Sequence, residues 1–447
     1  MEGQVRQVGN DSLPGTRKID ENHRFVFTLI TISIDAILST SLLTEKVFRC
    51  PNFANKCNVV YLSSGLTSFV LASFFFSLNF TTLMVYGWLL VPCKIAIVLV
   101  GMFGNGMIAR NLFILCYGIN GALKALILQS CTYVISRHFT NSAFAVLYSG
   151  YPGGSILIGV VQYLLEHAIE VESIEDMRFC LVLCHLVQAV TATAALVWIT
   201  YLYANYHEKT PNHKNVDHEL GTNRCEPVSL FSKAKKFLKA LSTVHYFFPR
   251  FLLQVEATII RYFFYPCLIP FLLEISDNAK LIITLAYNFC DFVGMIVYSG
   301  INEKIDPLAR RLSQPRLLFV FLRDVYLHII GLVCVGTASF VILASWIKID
   351  FIAKSPTVLF FITVFICFAI GSLSSRAVNG CFPLVEYYST QTKDDGSRIF
   401  GDEILKMDNI INDVVVFLDY SSCVLASSLS NMIEQIILNH RGIQITT

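Results

Sequence analysis

Eleven apolar stretches follow one another along this chain, each close to membrane-crossing length, and the charges gather in the segments between them. An α-helix rises about 1.5 Å per residue, so about 20 residues bridge a hydrocarbon core about 30 Å thick. The stretches fall at approximately 25–43, 59–79, 82–103, 111–134, 143–167, 178–204, 245–272, 279–300, 317–346, 356–387 and 409–438. Lipid offers no partner to a peptide group, so each stretch has to close its hydrogen bonds internally as a helix. Composition points the same way: 54% of residues are apolar and only 15% charged, where soluble domains carry about 25% charged residues. The mean hydropathy is +0.59. These observations predict an all-α polytopic membrane protein. A net charge of +2 with no basic stripe gives no reason to expect a nucleic-acid partner.

Residues 1–24 are polar and mixed in charge, with no small-residue cleavage site after the first apolar run, so 25–43 is expected to stay as the first span. The widest interruption, 205–240, separates six spans (25–204) from five (241–447). It ends in a stretch, 232–239, where lysines alternate with apolar residues at helical spacing, as in a helix lying on an anionic leaflet. Most loop lysines and arginines fall on the side that also holds the N-terminus. The positive-inside rule then makes that tail and the long loop cytoplasmic and the C-terminus external, with the plasma membrane as the default location. A bundle of six joined to a bundle of five suits a secondary transporter whose path runs between the bundles at the midplane.

Charges inside spans are costly and mark polar interiors. Asp291 is the only charge in the run 281–299, and Tyr287 and Asn288 lie one turn before it on the same face. Lys124 is equally central in its span. Lys94 follows Pro92, whose ring frees carbonyls for an ammonium. Asp35, Glu256, Arg261, Arg323, Asp324 and Arg376 also interrupt spans. Glu256 and Arg261 are five residues apart and point in different directions, so they are not expected to pair; Arg376 is a candidate partner for Asp291. Gln129 belongs to a polar face that could line a path, and Trp88 or Phe264 could stack on a flat ligand. Gly150 and Gly154 flank Pro152 and form a small-residue face suited to close helix packing or to bending. The cysteines are scattered as small hydrophobes, except Cys50 and Cys57, which share the first loop and could form a disulfide if that loop is external. No nucleotide-binding, hydrolytic or redox motif and no metal-ligand spacing occurs, so neither an enzyme nor a cofactor is expected.

The segment Tyr287-Asn288-Phe289-Cys290-Asp291-Phe292-Val293-Gly294-Met295 resembles the eighth-span signature of the equilibrative nucleoside transporter family, aromatic-Asn-x-x-Asp-aromatic-x-Gly-Arg. Phe264-Tyr265-Pro266, Phe321-Leu322-Arg323, the glycine-rich fifth span and Val378-Asn379-Gly380 are similar in weaker form. Span number, the long loop after the sixth span and the external C-terminus look like that family over most of the chain. Two features depart from it: Met295 stands where the family has arginine, and the first span shows Asp35-Ala36-Ile37-Leu38 in place of a Trp-Asn motif. The Gly-x-x-x-Asp-Arg-x-Gly-Arg loop of the major facilitator superfamily itself does not follow the second span. The resemblance implies a divergent member with a two-bundle, major-facilitator-like architecture. It further implies movement of purine nucleosides or nucleobases, by facilitated diffusion or coupled to protons. Asp291 would accept hydrogen bonds from the substrate with Asn288 in support, and Lys124 or Arg376 would supply the missing positive partner. The alternatives are another small organic solute, such as an amino acid, or a sensor or scaffold that transports nothing.

Overall fold

The computed structural model describes residues 19–34, 40–50, 52–75, 79–104, 106–139, 142–169, 173–208, 235, 237–238, 241, 244–264, 275–311, 317–347, 349–390 and 408–440. The long helices are α1 (Phe25–Ile34), α2 (Ser41–Phe48), α3 (Phe53–Phe75), α4 (Phe80–Phe103), α5 (Gly106–His138), α6 (Ser142–Ile169) and α7 (Ile174–Glu208) in the N-terminal half. The C-terminal half has α8 (Val244–Ile259), α9 (Asp277–Arg311), α10 (Leu317–Ile347), α11 (Pro356–Thr390) and α12 (Asp408–His440). Each expected span overlaps a helix; the first is shared between α1 and α2, and the part of the seventh beyond Phe264 lies outside the described residues. Asp35, most of 232–239 and the side chains of Phe264, Arg323, Asp324 and Asn379 lie outside the described residues.

Six helices, α4, α5, α7, α9, α10 and α11, contain segments long and apolar enough to cross a membrane by length and composition. Of the helices that fall short of that mark, α3, α6, α8 and α12 all contribute to the central cavity described below. α8, at 16 residues, is too short, while α3 and α12 carry polar residues such as Asn55, Asn58, Asp419 and Glu434, which are inside the protein.

Small residues set the closest helix contacts. A side chain at Gly150 would run into Thr31 Oγ1, and one at Gly154 would meet the Ile32 carbonyl at 2.6 Å. The pair lets α6 lie on α1, where Thr28 Oγ1 and Thr31 Oγ1 donate to the Val146 and Leu147 carbonyls, both at 2.8 Å. At Ile34, the last described residue of α1, the buried Lys94 donates to the carbonyl at 3.0 Å and to Gln188 Oε1 at 3.2 Å, and Asn120 Nδ2 joins the same carbonyl at 3.2 Å.

The two halves meet chiefly along α6 with α9 and α3 with α12, with smaller contacts of α6 with α11 and α5 with α12. The α3–α12 contact changes character along its length. Where α3 begins and α12 ends, Asn52, Asn55 and Asn58 donate to Asn431 Oδ1, Glu434 Oε2 and Ser427 Oγ at 2.8, 2.9 and 2.8 Å. The steps of three along α3 and of three to four along α12 are those of facing helix surfaces. Beside this ladder Lys46 Nζ bonds Asp277 Oδ2 at 2.5 Å and so ties α2 to the start of α9. At the other end Phe69 stacks on Tyr420 with ring centroids 6.1 Å apart, and Phe417 meets Phe237 edge-on at 5.5 Å.

Candidate functional site

Between the halves lies a cavity of about 880 Å³, its mouth included, lined from the N-terminal half by α3, α5 and α6 and from the C-terminal half by α8, α9, α11 and α12. It sits toward the middle of the helices, with the asparagine ladder beyond one end and Tyr420 of the aromatic contact forming part of its wall.

One ion pair dominates the C-terminal wall. After Ile259 the backbone widens into a single π-type turn, Ile260–Phe264, and such insertions re-aim the side chains they carry. Arg261 Nη2 donates to both oxygens of Asp291 at 2.9 Å and approaches Ser374 Oγ at 3.3 Å. Asp291 is only 2% exposed. A buried carboxylate of this kind persists only when a counter-charge and hydrogen bonds replace its water. Arg261 Nε is also buried, and it has no hydrogen-bond partner among the described residues. Asn288 lines the same wall and donates to the Thr284 carbonyl at 2.9 Å. Gly294 of the signature serves packing. A side chain there would meet the Phe368 carbonyl at 2.5 Å, and one at Gly371 would run into the Asp291 carbonyl.

A second set of charges is divided between the halves. Lys124 of α5 stands over the rings of Tyr61 and Tyr151, at 4.8 and 4.6 Å from their centroids, and so gains cation–π attraction. Across the cavity Asp419 of α12 accepts from Gln254 Nε2 at 2.8 Å. Gln254 Oε1 is buried without a partner among the described residues. Five tyrosines, Tyr148, Tyr151, Tyr262, Tyr287 and Tyr420, join apolar residues such as Leu62, Leu128 and Val416 in the rest of the lining.

Of the residues singled out from sequence, Asp291, Asn288 and Lys124 line the cavity, together with Tyr287, Arg261, Met295 and Pro152. Arg376, Gln129 and Trp88 do not. Arg376 is buried on α11 but outside the lining, and the counter-charge of Asp291 is Arg261, which the π-type turn swings toward α9. Gln129 donates to the Phe69 carbonyl at 3.4 Å and to Ser73 Oγ at 3.0 Å, so it bonds α5 to α3. Trp88 is 43% exposed on α4, and its indole donates to Thr200 Oγ1 at 3.3 Å on that outer face. No disulfide joins Cys50 and Cys57, which are buried as thiols. Glu256 and Arg261 do not pair: Glu256 Oε1 and His328 Nδ1 are hydrogen-bonded at 2.8 Å in the core of the C-terminal half.

The sequence reading missed Asp419, Gln254 and the pairing of Arg261. Asp419 carried a usable signal, an acidic residue one third of the way into the last span. The Arg261 contact carried none, because a helical wheel assumes the regular turn that this segment abandons.

The fold has solved counterparts. A partially occluded, inward-open structure of the xylose transporter XylE from E. coli matches with a TM-score of 0.50 at 11% identity, over 95% of this chain and 97% of that one. Tetrameric PepTSo2 gives a TM-score of 0.44 at 11% identity, over 95% and 100%. No protein-family model matches the chain, and no curated protein does. At this identity the likeness to XylE is one of fold. The chain is a multi-pass membrane protein with the two-bundle architecture of a transporter, and the nucleoside-transporter resemblance finds no counterpart in these neighbours.

Proposed function

We propose that this protein carries a small polar organic solute across a membrane, the two halves alternately opening either end of the central cavity. The observation that carries this reading is the cavity's position: it lies at mid-helix on the interface of the halves, walled by opposite charges and tyrosines. Burying such charges in a membrane protein is unfavourable unless they serve a hydrated path or a ligand. The contacts at the two ends of the cavity are the parts that would separate in turn. With the orientation expected from the loop charges, the asparagine ladder is the external closure and Phe69–Tyr420 the cytoplasmic one, in a protein placed by default in the plasma membrane.

The test is solute uptake by the full chain reconstituted into liposomes. A disulfide formed between Asn55→Cys and Glu434→Cys should stop uptake, and reductant should restore it, while each single variant stays active. Uptake indifferent to that cross-link would overturn alternating access through this interface. A sensor or scaffold would show no saturable uptake of any solute.

One observation favours purine nucleosides as the cargo. The resemblance assigns an arginine beside Asp291, Met295 occupies its place, and Arg261 supplies the guanidinium instead. Saturable adenosine or hypoxanthine uptake lost in Asp291→Asn would support that cargo, and its absence from a transporting preparation would remove it. Protons remain candidate co-substrates, and an uptake rate independent of an imposed pH gradient would exclude them.

A further inference from the structure

We propose that the cavity selects zwitterions of amino-acid type, with the solute's carboxylate at Lys124 and its ammonium at Asp419; this rests on the transport reading above. Four ionisable side chains of fixed sign line the cavity, and they fall into two unlike pairs. Arg261 and Asp291 both belong to the C-terminal half and neutralise each other at 2.9 Å. Lys124 and Asp419 come from opposite halves, and Asp419 feels the charge of Arg261 and, across the cavity, that of Lys124.

This second pair decides what fits between them. A neutral solute entering there would push opposite charges apart in a medium of low dielectric and return nothing for the lost attraction. A solute with one negative and one positive group offers each side chain a new counter-charge. Charge balance in the occupied cavity then equals that in the empty one.

A neutral side chain is placed in the same sense. Gln254 holds Asp419 through Nε2, which leaves Oε1, a buried acceptor without a partner among the described residues, on the same amide. Carboxylate and amide oxygen together form an acceptor pair for an ammonium. The tyrosines give the rest of the solute apolar faces with polar edges, which suits a large or aromatic side chain.

The experiment uses L-phenylalanine as the probe, with its methyl ester (ammonium only), N-acetyl-L-phenylalanine (carboxylate only) and adenosine as comparators. Uptake and competition are measured in liposomes holding the full chain, and melting of the detergent-solubilised protein is followed with each compound. L-phenylalanine should be taken up saturably and raise the melting temperature. Each blocked analogue should compete about tenfold or more less well, as loss of one charge-assisted contact implies. Lys124→Gln should abolish the preference for L-phenylalanine over its methyl ester, and Asp419→Asn the preference over the N-acetyl compound. Lys124→Arg should keep the first preference, and melting of each variant alone shows whether it is folded. Adenosine uptake that L-phenylalanine does not inhibit would overturn the zwitterion and leave transport standing. L-phenylalanine uptake with both preferences intact in folded Lys124→Gln and Asp419→Asn would overturn the assignment of residues. A folded preparation that neither takes up nor is stabilised by any of the four compounds would overturn the proposal and the transport reading together.

Discussion

The two ends of the α3–α12 contact hold the halves together by different physics. At one end three asparagine amides donate across the interface at fixed helical spacing. At the other, Phe69 lies on Tyr420 and Phe417 meets Phe237. Hydrogen bonds depend steeply on distance and angle, so the ladder holds one register and releases as a unit. Apolar contact is non-directional and tolerates sliding. The ladder end therefore behaves as a latch with two positions, and the aromatic end as a bearing.

The largest expected effect comes from breaking the bearing. Phe69→Ala should cost about 3–5 kcal/mol of stability, as large-to-small changes of buried aromatics do, and, by weakening the contact that closes the cytoplasmic end, should expose cavity residues from that side. Chemical denaturation and cysteine accessibility in the cavity would check the two halves of that statement. Next comes Asn55→Leu, which strips the buried Glu434 of its amide partner; leaving such a group unsatisfied costs about 1–3 kcal/mol or more. Unlike Phe69→Ala, it should expose cavity residues to reagents from the ladder side. If the two variants open the same side, latch and bearing are not distinct.

A third effect is pH-dependent and confined to the ladder end. Glu45, just beyond the first span, has its carboxyl pushed up to about 8 by burial and by the neighbouring Glu434. The folded form thus prefers the protonated acid. Its contribution is fully present below the ordinary value of 4.5 and is lost as pH rises through about 8. The fall can reach about 1.4 kcal/mol per pH unit within that window. Glu45→Gln should flatten the profile between those limits, and an unchanged slope in melting experiments would place the titration elsewhere. The smallest effect belongs to the exposed ion pair Lys46–Asp277. Lys46→Ala should change stability by about 0.2–1 kcal/mol, less in high salt. Asp277 is held below the ordinary carboxylate range by Lys46 and Lys280, despite its partial burial. The pair therefore contributes above that range and fades as pH falls through the depressed value.

Sequence alone gave access to the helices, the division into halves and the polar centre at Asp291, because spanning length and a lone charge are properties of a single segment. Lys124 was legible for the same reason. Which way a side chain points was less accessible: Trp88 and Gln129 sit on helices whose all-round apolar character hides the direction of lipid. Gly150 and Gly154 announced a close contact but not its partner, α1. Arg261 and Asp291 needed the fold, since a widened turn brings them together across 30 positions. The signature glycine, Gly294, was legible as part of a motif, yet its role, pressing α9 onto α11, belongs to the packed structure.

That last contact has a mechanical consequence. Gly294 and Gly371 let α9 and α11 touch backbone to backbone, with the Asp291 carbonyl seated where a side chain at 371 would be. Helices locked at that range have no slack for relative shear, so Asp291 and Ser374 travel as one body. If the halves alternate as proposed, the Asp291–Ser374 body is the stator, Lys124, mounted on the other half, is the rotor, and the variable quantity is the gap between Lys124 and Asp419.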